Sequence, residues 1–165
     1  MVVLKWIGIG LGVLVALAAI VIVVQLYSAS KRQPSTAEVS LGVEGGTLTT
    51  CPDSPNCVST QADPNDETHY LEPIQYEGTP QEVKERLMQW IRSQPRAELV
   101  TDNERYLRAV FSSRIFGFRD DLEVYFPHDE SVAHLRSASR VGEGDMGVNR
   151  ERAEAVRRVL QGQEE

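Results

Sequence analysis

An uninterrupted apolar run near the N-terminus constrains this chain more than any other feature. From Trp6 to Val24 the sequence carries no charged residue. A hydrocarbon core about 30 Å thick is crossed by about 20 residues at helical rise. In lipid, such a run satisfies its backbone groups as a helix. Trp6 and Tyr27 stand at its two ends, where amphipathic rings settle at headgroup level. We therefore expect residues 1–30 to form a transmembrane anchor, with the membrane contacted through residues 6–27. The rival is a cleaved secretory signal, because Ser28, Ala29 and Ser30 offer small residues to a peptidase. A signal's apolar region is about 7–15 residues long, and this one is longer. Gly8 and Gly12 have the spacing of a helix-packing motif, but glycine is common in membrane helices anyway.

The flanks bear on the side of the membrane. Lys31 and Arg32 outnumber Lys5, and positive flanks favour the cytoplasm. A lone N-terminal anchor, however, resembles an uncleaved export signal, and a cysteine pair suits an oxidising compartment. The expectation is a single-pass protein of a bacterial inner membrane with its domain on the periplasmic side.

Beyond the anchor the chain is acidic. Lys5, Lys31 and Arg32 are the charged residues before Gln33, so the rest holds 14 of the 17 Lys and Arg and all 24 Asp and Glu, a formal −10. That balance lacks the basic footprint that nucleic-acid binding requires, so no nucleic-acid partner is expected. Lys84 is the single lysine there. The arginines suit bidentate carboxylate or phosphate clamps, or reflect codon bias alone.

Residues 31–50, with Pro34, Ser35, Thr36, Gly45 and Gly46, read as a linker, and residues 51–162 as one domain. Residues 70–76 form a possible edge strand interrupted by Pro73. Thr79, Pro80 and Glu82 spell a helix start with a capping box. Val83, Leu87, Trp90 and Ile91 follow on one helical face. The period then becomes two, predicting strands at 97–101, 106–113, 121–126 and 132–139. Asn149 is expected to cap a closing helix bearing Ala153, Val156 and Leu160. Short connections make the strands antiparallel. The fold class is thus α+β: an anchor, then a two-layer domain with a mainly antiparallel sheet of four to five strands and two helices on one face.

Two constellations can carry chemistry. Cys51 and Cys57 flank a loop bent by Pro52 and Pro55. Such a loop can bring two Cα atoms within disulfide range, about 7 Å. The spacing matches neither a redox pair nor the usual zinc pair, so a structural disulfide is expected over inert thiols or metal and redox work. The second constellation runs from Arg136 to Arg150. A strand ends in a glycine-rich loop that feeds a helix N-terminus, where free N–H groups favour an anion. Arg136, Arg140 and Arg150 could clamp a phosphate or carboxylate, although Glu143 and Asp145 oppose that. Alternatively, Arg136 and Arg140 pair with Asp120, Asp121 or Asp145 in an internal ion-pair lattice. His69, His128 and His134 are scattered, and no nucleophile-and-base set, P-loop or metal motif is visible. No metal or cofactor is expected.

These residues resemble a known family. Cys51-Pro-x-x-Pro-Asn-Cys57-Val-Ser, Phe118-x-Asp120-Asp121-x-Glu123, and Arg136-Ser-Ala-Ser-Arg140 continuing through Gly142, Asp145 and Gly147 to Asn149-Arg150 are similar to the pattern of domain of unknown function 1499. The likeness spans roughly residues 50–160, with Ser59-Thr60 standing where two serines would be usual. It implies a protein of bacteria, often placed behind a membrane segment, or of plastid-bearing organisms, and it carries no activity over. Three readings stay open. The domain binds a small anion, lipid headgroup or protein partner through Asp120, Asp121, Arg136, Ser137, Ser139, Arg140, Asp145, Asn149 and Arg150, as an envelope-maintenance module. Alternatively it is an enzyme using the same Asp/Arg cluster, or a structural domain in which that cluster is a lattice.

Overall fold

The computed structural model describes residues 2–36 and 38–163. The apolar run lies in α1, Val2–Arg32. Its segment Gly10–Arg32 is long and apolar enough to cross a membrane and none of it is buried against the rest of the chain to any large extent until Ser30, which is 7% exposed. Leu11, Leu14, Ile20 and Val24 all point outward, as lipid-facing side chains would.

The domain follows as β1 (Val43–Glu44), β2 (Thr47–Leu48), β3 (Cys57–Ser59), β4 (Ile74–Gln75), α2 (Pro80–Ser93), β5 (Ala97–Asp102), β6 (Tyr106–Ser112), β7 (Arg119–Tyr125), β8 (Val132–Ser139) and α3 (Val148–Leu160). The main sheet runs β3-β8-β7-β6-β5, all antiparallel, and β4 pairs with the early part of β8. Period-two alternation turns Leu107, Ala109, Leu122, Val124 and Leu135 to one side. There they meet Val83, Leu87 and Ile91 of α2 and Ala153, Val156 and Leu160 of α3 in a single core. This is the expected α+β architecture, with both helices on one face.

Local chemistry explains the boundaries. Thr79 caps α2: its hydroxyl accepts from the Glu82 N–H, and the Glu82 carboxylate accepts from the Thr79 N–H. Pro80 takes the first helical position, where its missing donor does no harm. α3 begins differently from the sequence expectation. Its N-cap is Gly147, at φ 83°, and Asn149 sits buried inside the first turn. Asp145 does the capping, accepting from the N–H groups of Gly147 and Asn149 at 3.0 and 2.7 Å. The loop at 51–59 contains an edge strand that proline content obscured, because Val58 is drawn into the core in register with Ser137. The strand expected at 70–76 shrinks to Ile74–Gln75 and a lone parallel bridge from Tyr70 to Ser59. Pro73 has no N–H with which to continue the ladder.

Residues 33–36 and 38–50, expected to be part of a linker, are held against the sheet face that the helices leave open. Val39 and Pro34 offer carbonyls to Arg108 and Arg140. Leu48 is 3% exposed, and its N–H donates to Gln61.

Cys51 and Cys57 form a disulfide, with Cα atoms 5.6 Å apart. It closes the loop leading into β3, so protein denatured without reductant should show no reactive thiol, and two after reduction. Two thiols before reduction would contradict the bridge.

Candidate functional site

Register divides the residues expected to form one site. Asp120 and Asp121 are neighbours on β7, and side chains on a strand alternate between faces. Asp121 points to the open face and Asp120 to the helix face, so their partners differ throughout.

On the open face, β6, β7 and β8 align Arg108, Glu123 and Arg136 in one row and Val110, Asp121 and Ala138 in the next. Asp121 is 2% exposed and lies between two guanidinium groups. Arg108 donates to it through Nε and Nη2 at 3.0 and 2.8 Å. Arg140 donates through Nε at 2.7 Å and Nη2 at 2.9 Å. Each arginine's remaining donors reach the segment that follows α1. Arg108 bonds the Val39 carbonyl, and Arg140 bonds the Pro34 carbonyl and the Thr36 hydroxyl. Glu123, fully buried, accepts from the Tyr106 hydroxyl at 2.8 Å and from Arg136 at 3.1 Å. Burial pushes the Glu123 carboxyl upward, partly offset by those two donors. Burial, then the adjacent Glu123 charge, pushes the Tyr106 hydroxyl far upward, so it stays a donor. Arg136 Nε is buried without a partner.

The helix face carries a second network. Asn149, 1% exposed, accepts from the Ser137 hydroxyl and from Arg152, both at 2.6 Å. Its amide donates to the Asn56 carbonyl and the Ser139 hydroxyl. Ser139 in turn donates to Asp120 at 2.7 Å, and Arg152 closes the circuit to Asp120 at 2.8 Å. The Arg152 guanidinium also lies 4.5 Å from the Phe111 ring centre. Asn56 reaches the Gly142 carbonyl, tying the disulfide loop to the loop before α3. Asp145 is the helix cap described above. Arg150 bonds the carbonyls of Glu67, Thr68 and Tyr70, so it clamps a turn of the chain itself.

Sequence reasoning missed Arg108 and Arg152. Arg108 stands between Leu107 and Ala109 on a strand whose apolar neighbours face the core. A charge at that alternate position signals an occupied outer face, but its partner depends on register. Arg152 is three residues after Asn149, the spacing that places two side chains on one helix face.

A third polar group holds the disulfide loop. His69, 8% exposed, bonds Asp66 through Nδ1 at 2.6 Å and the Ser54 carbonyl through Nε2 at 3.2 Å. Both partners are acceptors, so the doubly protonated ring fits best. The Asp66 hydrogen bond accordingly raises the histidine's pKa, and the same bond lowers that of Asp66. Among the described residues no group of three or more His, Cys, Asp or Glu is arranged to hold a metal.

Three clefts on the described surface avoid the Asp/Arg cluster. One of about 440 Å³ lies between α2 and α3, walled by Trp90, Ala155 and Val159, with Arg86 and Arg158 beside it. A second follows residues 40–50. A third, of about 230 Å³, runs between the disulfide loop and His69.

Two predictions follow from these bonds. Arg140→Ala removes two of the four hydrogen bonds to the buried Asp121 carboxylate, leaving those of Arg108, and should lower the unfolding free energy by about 1.5–3 kcal/mol, whereas Asp145→Ala removes a cap and should cost about 1 kcal/mol; chemical unfolding measures both. The histidine's raised pKa means its contribution is complete below pH 6.5, the unshifted value, and disappears as pH climbs through the folded value. Asp66, with a lowered pKa, contributes above 3.8 and loses that as pH falls further. The melting-temperature gap between the native chain and His69→Gln should therefore be widest between these limits and close at alkaline pH.

Comparison with curated proteins gives no match. The family described as "Protein of unknown function (DUF1499)" matches residues 47–160, which spans β3 through α3 and every residue of the two networks from Asn56 to Arg152. The chain belongs to this family.

Proposed function

We propose that the chain is a single-pass protein of a bacterial inner membrane whose domain, on the periplasmic side, is a non-catalytic binding module. The observation that carries this reading is the internal saturation of the cluster. Asp121 takes four hydrogen bonds from Arg108 and Arg140, and Asp120 is held by Ser139 and Arg152. Groups so engaged serve as scaffold. A catalytic acid or base needs reach to a substrate proton, and no cleft described above opens onto these carboxylates. The disulfide supports an oxidising compartment.

The ligand surface in this reading is the cleft between α2 and α3. Its volume falls in the ordinary range for small-molecule sites, about 300–1,000 Å³. Its walls are apolar, and Arg86 and Arg158 stand at its edge. That pairing suits an anion carrying a short apolar body, such as an alkyl phosphate or a fatty carboxylate. Arg86 is already steadied by a bond to the Leu160 carbonyl, which fixes its guanidinium beside the cleft.

Hexyl phosphate titrated into the full chain in nanodiscs tests this. Trp90 lines the cleft, and Trp6→Phe removes the anchor's competing fluorescence. A saturable change in Trp90 emission that Ala155→Trp abolishes is expected. No saturable change, or one that Ala155→Trp leaves intact, would overturn the cleft as the site.

A further inference from the structure

The β6–β7 hairpin ends in Ser113, Arg114, Ile115, Phe116, Gly117 and Phe118. Ser113 and Phe118 close it, the Ser113 N–H donating to the Phe118 carbonyl and the Phe118 N–H to the Ser113 hydroxyl. The turn holds Ile115 out at 81% exposure, with Arg114 exposed beside it. Phe116 and Phe118 stand half-buried behind it, their ring centres 5.8 Å apart.

One exposed isoleucine is ordinary on a protein surface. Its position here is not. Gln33 is the first residue after α1, and its side chain grips the hairpin backbone on both sides of the tip. It donates to the Gly117 carbonyl at 2.6 Å and accepts from the Arg119 N–H at 2.8 Å. One turn earlier, Ser30 is already buried. The chain thus passes from α1 directly onto this hairpin, and Arg140 holds the next residues at Pro34 and Thr36. The β8–α3 loop leaves from the same end of the sheet, where the Arg140 N–H meets the Arg119 carbonyl, and it carries Met146 at 99% exposure.

Charge agrees with place. The chain beyond α1 is strongly acidic, and the β8–α3 loop adds Glu143 and Asp145 at this end, yet the hairpin tip and the last turn of α1 present Arg114, Lys31 and Arg32. Cations flanking apolar side chains are what an anionic headgroup layer attracts.

We propose that the β6–β7 hairpin tip is a second membrane contact, with Ile115 and Phe116 seated at the headgroup–acyl boundary of the bilayer that α1 crosses. The hairpin and α1 then form two points of attachment, and the domain stands at one fixed tilt. This inference rests on the reading of α1 as a membrane span.

Collision accessibility of nitroxides on the full chain, in nanodiscs containing an anionic lipid, tests both layers. With Cys51 and Cys57 bridged, an introduced cysteine takes the label. Labels go on Val15→Cys in α1, Arg114→Cys at the tip, and Glu104→Cys on the β5–β6 turn at the opposite end of the sheet. The expected oxygen-to-nickel accessibility ratio is high at 15, and several-fold higher at 114 than at 104. Adding Ile115→Asp should bring 114 down to the level of 104. A membrane-like value at 15 with equal values at 114 and 104 would overturn the second contact and leave the anchor standing. A water-like value at 15 would overturn the anchor and the inference with it. Shielding of 114 from both reagents would mean burial against protein, which overturns the bilayer as occupant.

Discussion

The carboxylate of Asp121 is the point on which the open face of the sheet depends. It is almost wholly removed from water and is shared by two arginines, one on β6 and one just past the end of β8. A lone buried carboxylate costs several kcal/mol of lost solvation, and four charge-assisted hydrogen bonds offset it. The guanidinium groups have donors left over, and those donors reach backward to the carbonyls of Pro34 and Val39. One acidic residue in mid-sheet thereby organises β6, β7, β8 and the segment that emerges from α1.

That arrangement answers how a two-layer domain protects the side of its sheet that has no helices. Most antiparallel sheets leave that side to solvent and line it with polar residues. Here the face is charged, internally paired and covered by residues 33–36 and 38–50. The same sheet carries the Asp120–Asn149–Arg152 network on its other side, next to the N-terminus of α3. Asp120 and Asp121 sit towards the end of the sheet nearest α1, and the residues that the family model matches include both. These side chains therefore read as construction: they tie the sheet to the segment that follows α1.

The sequence was most legible where a local pattern decides structure. The apolar run, the Thr79 capping box and the period-two strands each depend on neighbours a few residues away, and each appears in place. Of the pairings expected for Arg136 and Arg140 with Asp120, Asp121 or Asp145, Arg140 meets Asp121, whereas Arg136 meets Glu123 instead. Adjacent residues on a strand face opposite ways, and which arginine meets which aspartate is settled by cross-strand register. That register also hid Arg108, whose partner lies 13 residues further along the chain. Residues 33–50 misled for another reason. Pro, Ser, Thr and Gly content signals irregular backbone, and apart from the short β1–β2 pair the described part of the segment is irregular. Its carbonyls are nonetheless held by side chains as far as 106 residues away, which composition cannot reveal.

The central claim is that the domain is fastened to α1 through the Asp121 lattice rather than swinging from a flexible tether. The distance distribution between spin labels at Tyr27→Cys, near the end of α1, and Glu98→Cys, on β5, tests it most directly in the full chain reconstituted in nanodiscs. A single narrow distribution that broadens when Asp121→Asn is added is predicted. A broad distribution in the unaltered lattice, or a narrow one indifferent to Asp121→Asn, would contradict the account.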